Sequence, residues 1–331
     1  MQQANEILIG LDAGGDRIDA IAFDRAGREL QAVSTASPVA WLEHGPEQDL
    51  GETWQAAAQA LRQLAGLVPD LAPRTAALSI TGQSGGAWLI DEDGDPVAPA
   101  WPGPAHPVQS IVAGWQQNGL AAGVQAITGV PADSTRANAQ LAWLLQHRPE
   151  LLESAATAFG AKDWLYFCCT GERATDAAEG VASFGNRRTR AYDPVVLQLL
   201  RLEEVERLLP KVVDGTTHHG LLTGAAAAAT GLRPGTTVVL APPNLLASAL
   251  AAGLADIGSG LAGSILGATS YHLRILRDRP EPGGSAEPSV ALLPFVLPQT
   301  SLAICQGPGS ADCDWLLGMG VQLLADAGLI G

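Results

Sequence analysis

Basic residues are scarce in this sequence. Lys and Arg number 19 against 34 Asp and Glu, for a net charge of −15. Nor do the basic residues cluster. That excludes the common routes to nucleic acid or an anionic membrane surface, both of which rest on concentrated positive charge. Long apolar runs are missing too, since Gly, Pro or charge interrupts each one well before a bilayer-spanning length. The opening MQQANEILIG has no basic segment followed by an apolar one, so no secretory signal is read there. Cysteine is sparse. Cys168, Cys169, Cys305 and Cys313 show no zinc-type spacing, and adjacent Cys168 and Cys169 can hardly pair with each other. Reduced thiols in a cytoplasmic protein are the simplest reading.

What is present suits a folded chain. Hydrophobic residues make up 47% of 331, enough for two domains of ordinary size. Residues 6–14 and 18–24 read as strands joined by the glycine turn of GLDAGGDRIDAIAFD, with a turn at 25–27 and a third strand after it. Strand follows the glycines directly. A Walker loop or a dinucleotide-binding turn needs a helix there, so both are excluded. A helix follows from Asp49 as N-cap with Glu52 three residues later, and Trp54, Ala58, Leu61, Leu64 and Leu67 share a face. AALSITGQSGGAWLIDEDGDPV reads as strand, glycine turn, strand and polar turn. Helical patterns occupy 137–147 and 150–159, and a further helix starts with Asp193 as cap and Pro194 in its first turn. TTVVL reads as a strand, and NLLASALAAGL as a helix capped by Asn244 and closed near Gly253.

The opening pattern then returns. Residues 261–276 are again strand, small-residue turn, strand. Such a recurrence implies a duplicated α/β domain with a cleft between the copies, divided here into 1–231 and 232–331. Residues 280–288 read as a loop, and 310–327 as a helix capped by Ser310 with Trp315, Met319 and Leu323 on one face. His218 and His219 read as loop residues, Cys168 and Cys169 as core, and His272 as a strand residue.

Along its whole length the chain resembles the FGGY carbohydrate kinases of the actin–hexokinase superfamily, in particular the erythritol kinase and xylulose kinase-like branch. The carriers, in order, are IGLDAGG…AIAFD, EQD, ITGQSGGAWLIDEDGDPV, LAWLLQHRPE, KDWLYFCCTGERATDAAEG, RTRAYD, LLPKVVDGTTHHGLLT, AAAAATGLRPGTTVVL and ILGATSYH. The resemblance implies the ribonuclease H-like duplicated α/β fold, with the second domain incomplete. It also implies phosphorylation of a sugar or polyol hydroxyl by Mg-ATP, with the small-molecule substrate on the first domain and ATP mainly on the second. Asp12 falls at the metal-associated carboxylate, Gly14 and Gly15 at the first phosphate hairpin, and Gly267, Thr269 and Ser270 at the second. Gln83, Trp101 and Glu179 fall on the substrate side.

Several positions depart from the family pattern. Asp16 and Asp19 stand at the first hairpin, and a carboxylate about 4 Å from a phosphate oxygen costs about 4 kcal/mol in a partly screened site. Gly103 and Ala105 replace the polar pair that follows Trp101 in the family. The catalytic base position holds Asn244, which cannot accept a proton, and Glu179 is the nearest candidate to substitute for it. The glycine-rich adenosine segment of the family is not found. Three readings follow: a polyol or ketose kinase by lineage; an inactive relative that binds a small ligand or partner protein; or a fragment of a longer kinase that completes its fold with another chain. A homodimer or a partner chain is the macromolecular partner expected.

Overall fold

The computed structural model describes residues 6–267, 269–278, 289–310, 317–319 and 321–322. A six-stranded sheet organises the first unit. Its order is Gly220–Leu221, Thr237–Leu240, Thr75–Gly82, Ile7–Ala13, Arg17–Asp24, Glu29–Ala36. The last three form an antiparallel meander. Thr75–Gly82 runs parallel to Ile7–Ala13, and Thr237–Leu240 runs parallel to Thr75–Gly82. The first hairpin is therefore strand–turn–strand, as the sequence implies. Alternation drives it: Ile7, Ile9 and Leu11 are buried on one face while Leu8 is 42% exposed.

Helix Leu50–Leu67 covers that face. Asp49 caps it, accepting the Glu52 N–H at 2.8 Å. Leu50, Leu61 and Leu64 pack in one core with Ile7, Ile9 and Val238, whereas Leu67, expected on the buried stripe, is 58% exposed as the last residue of the helix. Asp193 and Pro194 start helix Pro194–Leu200 as expected. The helix expected over 150–159 stops early. Pro149–Ser154 is helical, but Thr157–Phe159 is a strand paired with Trp88–Ile90, because a β-branched and an aromatic residue there complete the cover over Ile90.

The second sheet has the order Ala262–Ile265, Ser270–Arg277, Thr300–Gly307, Val290–Pro294, all antiparallel. Its first two strands repeat the hairpin of the first sheet, and Val290–Pro294, which precedes Thr300–Gly307 in sequence, lies at the far edge. Leu273, Ile275, Leu293, Phe295 and Leu302 form a core with Leu246 and Ala249 from helix Asn244–Ala251 and with Ala178 and Ala182 of the first unit. Strand Thr237–Leu240, assigned from sequence to the segment 232–331, is hydrogen-bonded into the first sheet. The loop at 280–288 lies outside the described residues, as does most of the helix expected over 310–327. Among the described residues no helix is long and apolar enough to cross a membrane. Cys169 is fully buried and burial raises its thiol pKa to about 12, in keeping with a core role. His218 pairs through Nε2 with Glu172 at 2.8 Å, and His272 sits in a strand with Nδ1 2.9 Å from Ser264 Oγ.

Candidate functional site

The three parallel strands of the first sheet end on the same side, the place where open α/β sheets bind ligands. Asp12 lies at the end of Ile7–Ala13, Gln83 directly follows Thr75–Gly82, and Asn244 follows Thr237–Leu240 by a short proline link. Topology thus gathers residues that are far apart in sequence. Gln83 N–H donates to Ala13 carbonyl oxygen at 2.9 Å, and Thr81 Oγ1 to Pro242 carbonyl oxygen at 2.7 Å, which ties the three strand ends together.

Asn244 does not cap its helix. Pro243 takes the N-cap position, with no side-chain cap bond, and Asn244 is the first helical residue. A proline before the first turn costs no hydrogen bond, because that N–H would be unsatisfied anyway. The Asn244 side chain is then free to reach across, and its Nδ2 donates to Asp12 Oδ1 at 3.4 Å. Burial raises the Asp12 pKa above the ordinary aspartate range; the Asn244 hydrogen bond works against this, and Asp19 adds to it.

Beside Asp12 stands the glycine hairpin. Gly14 is half-buried and Gly15 is exposed at the tip, where an added Cβ would stand 3.2 Å from Gln83 Oε1. Arg17 does not turn inward. Its Nε donates to Asp19 Oδ2 at 2.8 Å and its side chain is 70% exposed. The second hairpin brings Thr269 to the cleft, while Ser270 is buried and paired with Gly307 in the sheet. Gly267 is exposed.

The turn at 83–86 forms the floor between these parts. Gly85 and Gly86 have φ of +94° and +85°, and a Cβ on Gly85 would stand 2.5 Å from the Thr135 carbonyl oxygen, so glycine is required there. Glu179, named above as a substitute base, lies behind this turn rather than on the cleft. It is 7% exposed; Oε1 accepts the Gly85 N–H at 2.8 Å, and Oε2 is buried without a partner. It belongs to a buried cluster in which Lys162 Nζ contacts Asp163 at 2.5 Å and Asp176 at 2.8 Å. Burial pulls the Lys162 pKa down, but Asp163 and Asp176 more than reverse this, so the lysine is firmly charged. Burial raises the Glu179 pKa despite Lys162. Burial raises the Asp163 pKa as well, again with Lys162 acting against it, so one cation serves three acidic side chains.

Trp101 is set back from the cleft. Its Nε1 donates to Glu47 Oε1 at 3.2 Å, and its ring meets Trp143 edge-on at 5.2 Å beside a separate cavity of about 160 Å³. Pro102, Gly103 and Pro104 do line the main cleft. A side chain at Gly103 would meet Pro46 at 2.9 Å, so this wall has closed over the position of the missing polar residue.

The cleft itself holds about 640 Å³ between the two sheets, with Gln83, Asn244 and Thr269 on its walls. Ser84, Arg136, Tyr271 and Gln306 line it as well, and sequence reasoning passed over them. A signal existed for Arg136: a cation immediately before helix Ala137–His147 opposes the helix dipole.

Residues 7–250 match the model of the FGGY family of carbohydrate kinases, N-terminal domain. The chain is 40% identical over 279 residues to an erythritol kinase of Brucella abortus, covering 83% of this chain and 53% of that protein. It is 29% identical over 252 residues to an L-xylulose/3-keto-L-gulonate kinase of Escherichia coli, covering 75% and 50% respectively. The crystal structure of a xylulose kinase from Rhodospirillum rubrum superposes with a TM-score of 0.83 at 21% identity, covering 94% of this chain and 63% of that one. The chain spans about half the length of the curated relatives it matches. With the family model matching most of its length and the strand ends arranged as described, the chain belongs to the FGGY family of carbohydrate kinases.

Proposed function

We propose that the cleft takes an open-chain polyol or ketose and that the reaction of this lineage is ATP-dependent phosphorylation of one of its hydroxyls. What supports the reading above all is the convergence of Asp12, Gln83 and Asn244 at the ends of three parallel strands, beside the glycine hairpin. Mg-ATP is the cofactor of this reading. Magnesium is ordinarily held by one or two carboxylates together with nucleotide phosphates. A single half-buried Asp12, not engaged in an ion pair, suits that mode, and the described residues contain no cluster of three or more His, Cys, Asp or Glu that would bind the metal alone. When bound, Mg-ATP supplies the phosphoryl group and offsets its charge.

The chain's own residues have distinct parts in this reading. Gly14 and Gly15 let phosphate approach the backbone, and Thr269 offers a hydroxyl from the other side. Gln83 orients a substrate hydroxyl. Asn244 can hold the attacking hydroxyl by a hydrogen bond but takes no proton from it, which costs about 10²–10⁴ in rate. That same residue favours a second reading, polyol binding without turnover. The boundary between the two units is placed after Leu240, and a cytoplasmic setting with access to ATP goes with either reading.

The test is ADP release by the 331-residue chain with Mg-ATP and a panel of polyols and ketoses. Polyol-dependent ADP release supports the kinase reading. Saturable polyol binding with no ADP release leaves the second reading, and absence of both sinks the proposal.

A further inference from the structure

We infer that Arg136 fixes the polyol in the cleft, its guanidinium donating to two adjacent hydroxyl oxygens of the open chain. This rests on the polyol reading above. Arg136 lines the cleft just ahead of helix Ala137–His147. Its Nη1 donates to Ser84 Oγ at 3.1 Å. Its Nε is buried with no hydrogen-bond partner. No carboxylate among the described residues pairs with it. Asp133, the carboxylate that lines the same cleft, instead accepts the Thr135 N–H at 2.7 Å.

A partly buried cation without a counter-charge is an expensive arrangement, and its donors gain most from acceptors brought by a ligand. Five of the residues that line the cleft with Arg136, namely Pro102, Gly103, Pro104, Pro131 and Ala132, carry no polar side chain that could take up its donors. Arg136 is also the sole cation lining the cleft among the described residues. The guanidinium presents its donors in a rigid planar fork that spans two oxygens at once, which a lysine cannot do. Ser84 fixes the plane of that fork. It belongs to the same 83–86 turn that carries Gln83, so the two groups that would contact the polyol share one rigid support. That support is pinned from behind by Glu179 through the Gly85 N–H.

The experiment is calorimetric titration of the 331-residue chain and its variants with erythritol and with five-carbon polyols, without nucleotide. For Arg136→Met, polyol affinity is expected to fall at least tenfold with little change in the melting temperature of the unliganded protein. Arg136→Lys is expected to lie between the two. Equal polyol affinity in folded Arg136→Met overturns the inference and leaves the polyol reading standing. No binding of any polyol by the wild-type chain overturns both. If Arg136→Met does not fold, Ser84→Ala keeps the cation but frees its plane, and is expected to weaken binding about threefold; unchanged affinity there also overturns the inference.

Discussion

Asn244 Nδ2 and Asp12 Oδ1 lie 3.4 Å apart, joining residues 232 positions apart in the chain. The contact links the first residue of a helix to the end of a strand, at the carboxyl ends of the parallel strands of the first sheet. In the kinase reading it places an amide where a proton acceptor is called for, and it gives the neighbouring carboxylate a donor.

Removing the amide should therefore be felt at Asp12. Asn244→Ala takes away a hydrogen bond that lowers the Asp12 pKa and leaves burial, which raises it. The carboxyl is expected to titrate higher in the variant, read by NMR of the side-chain carbon; an unchanged or lower value would contradict the contact. Asn244→Asp sets two carboxylates in reach of each other, so one keeps its proton. That change alone is expected to leave turnover low, because the acids of the glycine hairpin remain.

Those acids give a second expectation. Arg17 is held outward by Asp19, and Asp16 is exposed at the hairpin tip. Replacing Asp16 and Asp19 together by Ser removes two negative charges and frees Arg17. Mg-ATP affinity should rise about tenfold, or roughly 1.4 kcal/mol, less than the unscreened Coulomb term because the site is exposed. Titration calorimetry at low salt measures this, and equal affinities would contradict it.

Glu179 predicts a pH signature. Its pKa is raised above the ordinary 4.5 by burial, so between 4.5 and that raised value the folded protein binds more protons here than the unfolded chain. Stability then falls as pH rises from 4.5 through the folded pKa. Glu179→Gln cannot titrate and retains an acceptor for the Gly85 N–H. Its urea midpoint should lose this part of the pH slope. Glu179→Ala removes the acceptor and should cost about 1–3 kcal/mol. An unchanged slope in Glu179→Gln would contradict a raised pKa at Glu179.

Arg190 joins the units. With φ of +58° it donates to the carbonyl oxygens of Phe295, Leu297 and Thr300 at 2.7–2.9 Å, and Asp278 lies 3.9 Å away. Arg190→Met should loosen the second sheet by about 3 kcal/mol, since hydrogen bonds from charged donors are the stronger ones. In hydrogen exchange, strands Ser270–Arg277 and Thr300–Gly307 should lose protection while Ile7–Ala13 keeps it. Equal loss in both sheets would contradict a local role.

Local signals in the sequence carried much of the fold. The two hairpins, the Asp49 cap and the Asp193–Pro194 helix start could be read because alternation and capping act over a few residues. The place of Thr237–Leu240 could not, because a short apolar strand says nothing about which sheet it joins. Asn244 as a cap is the instructive error. Asn is a favoured cap, but Pro243 fits the extended backbone before the helix and shifts Asn244 into the first turn. Glu179 was misplaced for a related reason: its depth depends on a cluster with Lys162, Asp163 and Asp176 that no short spacing shows. Asp12 near the end of its strand and Gln83 just after another could be placed because the motifs around them mark those strands.

The most direct measurement is a calorimetric titration of the 331-residue chain with Mg-ATP, with and without saturating erythritol. The expected result is saturable binding of both ligands, Mg-ATP weakly and the polyol independently of it. Absence of heat from either ligand, in a protein shown by circular dichroism to be folded, would contradict a cleft that takes polyol and nucleotide together.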